Sequence, residues 1–114
     1  MLADDPTAEV VQEETFGPLL VVQPATSWDE ALDLLDGVRQ GLVAALFSPD
    51  PRRRESFLRH ARAGVLKLDA ATAGVAAHLP FGGWKRSGIG PPEHADGDLL
   101  AFTRAQAVYG PVGP

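Results

Sequence analysis

Two short stretches carry residue types that could do chemistry. The first, residues 13–18, reads EETFGP and precedes an apolar run. If it is extended, Glu14 and Phe16 project to the same side, because side chains alternate along an extended chain. A carboxylate can accept two hydroxyl hydrogen bonds, as from a ribose diol, while an aromatic ring packs against a flat heterocycle. The alternative is a solvated acidic pair followed by a core phenylalanine.

The second stretch, residues 80–91, reads PFGGWKRSGIGP and sets aromatic rings and cations among glycines. Glycine permits unusual backbone angles and close approach, so this stretch could form a loop that binds an anion. It matches neither a Walker phosphate-binding loop nor a dinucleotide fingerprint, which must join a strand to a helix. The alternative is a flexible glycine-rich connection.

The composition excludes several other kinds of chemistry. The 114 residues include no cysteine, which excludes disulfides, thiolate metal sites and a cysteine nucleophile within the chain. A net charge of -5 argues against a nucleic-acid partner. His60, His78 and His94 lack the short spacing of metal ligands, so we predict no metal site. Ser87 has neither a G-x-S-x-G context nor a neighbouring base, which disfavours hydrolase chemistry.

The chain also lacks the signs of a membrane protein. No apolar stretch approaches the roughly 20 residues that span a bilayer, and the acidic first residues are unlike a signal peptide. We therefore predict no membrane partner and a cytoplasmic location. With 45% apolar and 22% charged residues, the length predicts one compact domain with a core of its own.

Outside these two stretches, apolar runs bounded by glycine or proline predict buried strands at residues 19–23, 42–47 and 65–68. A capping box formed by Ser27 and Glu30 predicts a helix over residues 28–39, and Gly41 is placed to end it in a left-handed conformation.

A second helix is predicted to begin at Pro51, after Asp50 as N-cap, and to close at Gly64. The resulting β-α-β-α-β order predicts an α/β fold with parallel strands. Residues 69–98 show no periodicity and predict a long loop, whereas residues 101–110 favour a C-terminal strand.

In order and spacing, these motifs resemble the C-terminal part of the NAD(P)-dependent aldehyde dehydrogenases. The order is EETFGP before a strand, a helix, GLVAALFS, a second helix ending AGV, and PFGGWKRSGIG, covering about residues 8–109. Within that family, GWKRSGIGP followed by HADGDLL looks most like the Δ1-pyrroline-5-carboxylate (glutamate semialdehyde) dehydrogenases. The succinylglutamate semialdehyde branch is also similar.

The resemblance assigns roles to five residues and none to a metal. Glu14 would hydrogen-bond the nicotinamide ribose of NAD or NADP, and Phe16 would pack beside the nicotinamide. Gly74 and Val75 stand where glutamate semialdehyde enzymes present a Gly-Ala pair whose amides bind the substrate carboxylate, with Val in place of Ala. Phe81 would line the aldehyde pocket.

The resemblance also implies what the chain lacks. The nucleophilic cysteine, general-base glutamate, oxyanion-hole asparagine and Rossmann turn of the family all lie upstream of EETFGP. The implied partner is therefore an upstream catalytic and cofactor-binding segment, and the isolated chain should be inactive. Residues 8–100 would form part of the catalytic domain, and residues 101–110 a strand for homo-oligomer association.

Two other functions are compatible with the same residues. One is a noncatalytic oligomerisation or scaffolding module that keeps the fold. The other is an anion- or nucleotide-binding module centred on residues 82–90.

Overall fold

The centre of the molecule is a strand-helix-strand unit. The computed structural model describes residues 1–111 and residue 113. Strand β2 (Val43–Leu46) pairs in parallel with β3 (Val65–Leu68), with Val43 opposite Val65, and helix α3 (Pro51–His60) connects them. The parallel pairing predicted from the apolar runs is confirmed. Both strands are short, because each run is interrupted by glycine or a polar residue.

Helix α3 begins as its sequence predicts and ends earlier. The Asp50 side chain accepts a hydrogen bond from the Arg52 amide, and Pro51 occupies the first turn. The helix stops at His60 because Ala61 has extended backbone angles, so the predicted end at Gly64 is wrong. The four-residue link between His60 and Val65 lets Ala61 and Ala63 turn inward, where both are buried.

Helix α2 (Trp28–Asp36) begins with a capping box whose hydrogen bonds are formed. The Ser27 hydroxyl accepts from the Glu30 amide, and the Glu30 carboxylate accepts from the hydroxyl and the amide of Thr26 at 2.6 Å. These Thr26 hydrogen bonds, the hydroxyl first, lower the pKa of Glu30 from its ordinary value. The helix ends at Asp36, three residues before the predicted end.

The predicted left-handed end at Gly41 is also wrong. Gly37 follows the helix with right-handed angles, and Gly41 belongs to strand β1 (Gln40–Gly41). A Cβ at Gly41 would lie 2.7 Å from the carbonyl oxygen of Arg62. This glycine therefore permits a close approach of two backbones rather than a change of direction.

The apolar core is small and lies around the central unit. Its buried apolar residues are Ala44, Phe57, Ala61 and Ala63. Half-buried side chains pack against them: Trp28, Leu32, Leu35, Leu46, Leu66 and Leu68. The indole nitrogen of Trp28 donates to the Ser56 hydroxyl at 3.0 Å, which joins α2 to α3.

The prediction of one compact domain is wrong. The radius of gyration is 18.9 Å, whereas about 13 Å is usual for a globular chain of this length. The chain exposes 8963 Å², compared with about 6000 Å² for a compact protein of this mass. The apolar runs outside the central unit do not converge on the core, so much of their surface stays exposed.

Residues 19–23 illustrate this and correct the first predicted strand. They form no ladder, and only an isolated parallel bridge between Leu2 and Val22 involves them. Leu20 is exposed, and the run lies between Pro18 and Pro24. An apolar run becomes a buried strand only where a neighbouring strand supplies hydrogen bonds along its length, and here the described backbone hydrogen bonds from a distant segment come only from the first three residues. Short helix α1 (Glu9–Gln12), which the sequence did not predict, precedes this stretch.

The glycine-rich stretch folds back onto the centre. Strand β4 (Trp84–Lys85) pairs antiparallel with β1, placing Gln40 opposite Lys85. A Cβ on Gly64 would lie 1.6 Å from the Gly82 carbonyl oxygen, and one on Gly88 would lie 2.0 Å from that of Gly83. The stretch is therefore a tightly packed loop in which absent side chains let backbones touch.

The C-terminal part differs from the predicted strand. Helix α4 (Asp96–Phe102) takes the first residues of that stretch, and residues 103–110 have no regular structure. The backbone at Thr103 is extended, but no neighbouring strand pairs with the segment. In the described part of the chain, no helix has the length and apolar character needed to cross a membrane.

Candidate functional site

Glu14 and Phe16 lie in the irregular segment that follows α1. The backbone leaves the helix at Glu13 with extended angles, and Glu14 is exposed. Phe16 is 93% exposed, so it does not pack into the apolar core of this chain. Glu14 lies at the edge of a cavity of about 360 Å³ with largely apolar walls, including Leu35 and Val43.

Phe81 borders a second cavity, of about 250 Å³. Its amide donates to the Glu93 carbonyl at 2.8 Å, and the Glu93 amide donates back at 2.7 Å. The Phe81 ring stacks on His94, with centroids 5.7 Å apart. Phe81 is therefore held as a half-buried wall residue by both its backbone and its ring.

The two cavities lie on either side of one thin partition. Leu42 and Ser87 line both of them, and the Ser87 hydroxyl accepts from the Gly41 amide at 2.9 Å. Leu42 and Ser87 therefore form a partition shared by the Glu14 cavity and the Phe81 cavity. Sequence reasoning selected the two sides separately but gave no signal for this serine, which fixes the partition between them.

Gly74 and Val75 lie on a surface loop after β3, and they line neither of these cavities. The Lys67 ammonium donates to the carbonyl oxygens of Ala73 and Gly74, at 2.5 and 2.6 Å. Gly74 has a positive φ of 83°, which favours glycine. Among the described residues, neither the Gly74 nor the Val75 amide donates to a protein acceptor.

The cations of the glycine-rich loop are already engaged. The Lys85 ammonium donates to the carbonyl oxygens of Asp36 and Val38, at 2.9 and 3.1 Å, beyond the end of α2. Arg86 lies 4.0 Å from the Glu13 carboxylate. The hypothesis of an anion site centred on residues 82–90 is disfavoured, because these charges face acceptors of the chain itself.

A set of polar contacts missed by sequence reasoning ties the first stretch to the rest. The Arg39 guanidinium donates to the Glu13 carboxylate at 2.5 Å. The Gln12 amide donates to the Gly37 carbonyl at 3.0 Å, and Gln40 donates to the Gln12 carbonyl at 3.1 Å. All three contacts join residues next to Glu14 to the turn between α2 and β1. No periodicity signals them, because they connect segments that are irregular or very short.

Metal-ligating side chains do not converge within the described residues, where no group of three His, Cys, Asp or Glu could hold an ion.

Comparison with known proteins shows which family the chain resembles. A family model described as the aldehyde dehydrogenase family matches residues 1–108. The alpha-ketoglutarate semialdehyde dehydrogenase of Haloferax volcanii is 36% identical over 92% of this chain and 22% of its own length. The N-succinylglutamate 5-semialdehyde dehydrogenase 2 of Caulobacter vibrioides is 42% identical over 70% of this chain and 16% of its own.

Solved structures share the fold. PnpE from Pseudomonas sp. WBC-3 superposes with a TM-score of 0.83 and 28% identity over 97% of this chain and 24% of its own. Betaine aldehyde dehydrogenase from Staphylococcus aureus, in complex with NAD+, gives a TM-score of 0.76 and 30% identity over 84% of this chain and 19% of its own.

The chain spans about a fifth of the length of the relatives that it matches. Those relatives are aldehyde or semialdehyde dehydrogenases of several substrates, and they do not single out the Δ1-pyrroline-5-carboxylate branch. With the family model covering nearly the whole sequence and the α/β fold shared, this chain belongs to the aldehyde dehydrogenase family.

Proposed function

We propose that this chain is the C-terminal portion of an NAD(P)-dependent aldehyde dehydrogenase and acts with an upstream segment that supplies the nucleophilic thiol. The observation that carries the proposal is the family match over residues 1–108 in a sequence without cysteine. A thiolate must attack the aldehyde carbon before hydride can leave, so the chain contributes binding surfaces rather than the nucleophile.

Glu14 and Phe16 suit a nicotinamide coenzyme. An exposed carboxylate and an exposed ring, two residues apart in the segment after α1, match the hydroxyl pair of a ribose and the face of a heterocycle. NAD or NADP, when bound, would supply the hydride acceptor. Glu14 would orient the ribose through charge-assisted hydrogen bonds, and Phe16 would shield one face of the ring from water.

The substrate class that we propose is an aldehyde that also carries a carboxylate, with glutamate semialdehyde as one member. The semialdehyde relatives support this class, since several of their named substrates are acid semialdehydes. The adjacent Gly74 and Val75 amides, which donate to no described protein acceptor, suit a carboxylate oxygen. Phe81 would form the apolar wall beside the aldehyde carbon.

Activity assays test the division of labour. The purified chain should form no NADH or NADPH from any aldehyde, whereas the complete enzyme that contains it should oxidise acid semialdehydes. Alpha-ketoglutarate, succinylglutamate and glutamate semialdehydes should give higher kcat/KM values than propanal. Turnover by the isolated chain after repurification, or a preference for propanal, would contradict the proposal.

Glu14→Gln in the complete enzyme tests the coenzyme role. The amide keeps the shape but replaces charge-assisted acceptance, a loss of roughly 1 to 2 kcal/mol for a strong hydrogen bond. Coenzyme binding or hydride transfer should weaken, while the melting temperature should hardly change. Glu9→Gln, another acidic residue nearby in α1, is the matched control. Unchanged kinetics would remove Glu14 from the coenzyme site.

We also propose that residues 103–110 associate with another subunit in a homo-oligomer. Val108 and Tyr109 are exposed apolar residues on a segment that pairs with nothing in the single chain. Removing residues 104–114 from the complete enzyme should reduce the assembly mass measured by light scattering. An unchanged mass would exclude this role.

A further inference from the structure

We infer that Glu13 is a positioning residue that holds the coenzyme carboxylate Glu14 in register with the glycine-rich loop. The inference rests on the proposed function, because it concerns how Glu14 is presented. Glu13 is the one residue of the first stretch whose carboxylate meets cations from two other segments. Those segments are the α2–β1 turn and the loop after β4.

The first step is the contact with the turn. Arg39 NH1 lies 2.5 Å from Glu13 Oε1, and both side chains are about half exposed. Arg39 is fixed in turn by the loop, because its carbonyl accepts from the Arg86 amide at 3.1 Å. The same Glu13 oxygen lies 4.0 Å from Arg86 NH1. One carboxylate therefore links the segment before Glu14 to both partners at once.

The second step is the backbone on either side of this carboxylate. Gln12, the preceding residue, is held by two hydrogen bonds. Its side-chain amide donates to the Gly37 carbonyl, and its own carbonyl accepts from the Gln40 side chain. Glu13 itself has extended angles, with φ -115° and ψ 136°. Because Glu14 follows Glu13 directly in the chain, fixing the backbone of Glu13 limits the directions from which the Glu14 side chain can project.

The third step is the contrast between the two neighbouring glutamates. Within the described residues, the Glu14 carboxylate makes no hydrogen bond or ion pair with the protein, whereas Glu13 is paired. A carboxylate that must accept ribose hydroxyls has to stay unpaired before binding, so its direction must come from elsewhere. The Glu13 contacts supply that direction without occupying the acceptor.

The test compares Glu13→Gln and Arg39→Gln in the complete enzyme. Each should raise the KM for the nicotinamide coenzyme about three- to fivefold, as expected for one partly exposed ion pair, with little change in kcat or the aldehyde KM. The double variant should be no worse than Glu13→Gln alone, since that variant already removes the Arg39 contact. Arg39→Lys keeps the charge and should restore most of the coenzyme affinity.

Salt provides a second readout that a purely structural role would not move. The difference between the parent enzyme and Glu13→Gln should shrink as ionic strength rises towards 1 M, because salt screens exposed pairs. Glu9→Gln serves as the matched control and should leave the coenzyme KM unchanged.

The outcomes separate this inference from the function on which it rests. If the parent enzyme oxidises aldehydes but Glu13→Gln changes only the melting temperature, or if the double variant is additive, the positioning role is overturned. If the parent enzyme oxidises no aldehyde with either coenzyme, the proposed function itself fails.

Discussion

Residues 43–68 and residues 81–97 are held in place by opposite means. The first region is the β2–α3–β3 unit, where Phe57 is 2% exposed and alanines pack around it. The second is held where side chains are missing: Gly83, Gly88 and Gly97 each stand where a Cβ would overlap a backbone carbonyl. One region is stabilised by burial of apolar area and the other by backbone contact and polar caps.

This difference shows where substitutions should act in the molecule. Larger side chains are tolerated on the rim of the central unit but not at the glycine contacts, whereas truncation should matter in the core and little in the loop. The chain provides a separate reporter for each region. Trp28 packs against the core, and Trp84 lies in β4, so Trp84→Phe and Trp28→Phe each leave one tryptophan to follow.

The largest expected effect is Phe57→Ala in the central unit. Truncating a fully buried phenylalanine typically costs about 3 to 5 kcal/mol, because a cavity replaces its contacts. Urea unfolding followed by Trp28 fluorescence in a Trp84→Phe background should show the loss. Leu58→Ala is the matched control, since that side chain is 52% exposed and should lose far less. Equal losses at the two positions would mean that the core is not centred on Phe57.

The next effect is Gly64→Ala, which tests the contact between the central unit and the glycine-rich loop. Its Cβ would stand 1.6 Å from the Gly82 carbonyl oxygen, so the glycine-rich loop must move away. We expect a loss of about 1 to 3 kcal/mol, as for other overpacked sites, reported mainly by Trp84 fluorescence in a Trp28→Phe background. Gly17→Ala meets open space and is the control. A stable Gly64→Ala protein with unchanged Trp84 emission would refute the close contact.

A smaller effect is expected from Lys85→Met, which keeps the length of the side chain and removes its charge. Two hydrogen bonds to carbonyls at the end of α2 are lost, at a cost of about 1 kcal/mol. Thermal unfolding followed at Trp84 should record it, and Lys85→Arg should recover part of the loss. If Lys85→Met matches the parent chain, the loop is held by its glycine contacts alone.

The smallest effect is a pH dependence at Glu30 in helix α2, which contacts both regions. Because the pKa of Glu30 is lowered in the folded chain, its contribution to stability is present above about pH 4.5 and is lost as the pH falls through the lowered folded-state value. Glu30→Gln should therefore lower the melting temperature slightly at pH 7, and the difference should shrink as the pH falls below about 4.5. A difference that persists or grows in acid would contradict this assignment.

The central unit could be predicted from sequence because its signals are local. The caps at Ser27 and Asp50 accept hydrogen bonds from amides two or three residues away. The apolar runs at residues 43–46 and 65–68 indicate buried strands from their composition alone. Residues 19–23 have the same apolar pattern, yet they form no strand, because pattern alone does not supply a neighbouring edge. The exposure of Glu14 and Phe16 agrees with the extended segment expected there.

Contacts between irregular segments could not be predicted in this way. The Glu13–Arg39 pair and the Gly64–Gly82 contact join residues far apart in sequence, and neither produces a periodic pattern in the sequence. The predicted end of α2 at Gly41 failed for the same reason, since that glycine is required by a distant carbonyl rather than by the helix.

The β1–β4 ladder also bears on the order in which the chain assembles. Its register joins Gln40 to Lys85, about twice the sequence separation that β2 and β3 must close. Each doubling of a loop costs about 0.6 kcal/mol in closure entropy, and this ladder is only two residues long on each side. We therefore expect the central unit to form first and the glycine-rich loop to dock last. A newly made molecule would then bring Ser87 against Gly41 only after its core is complete.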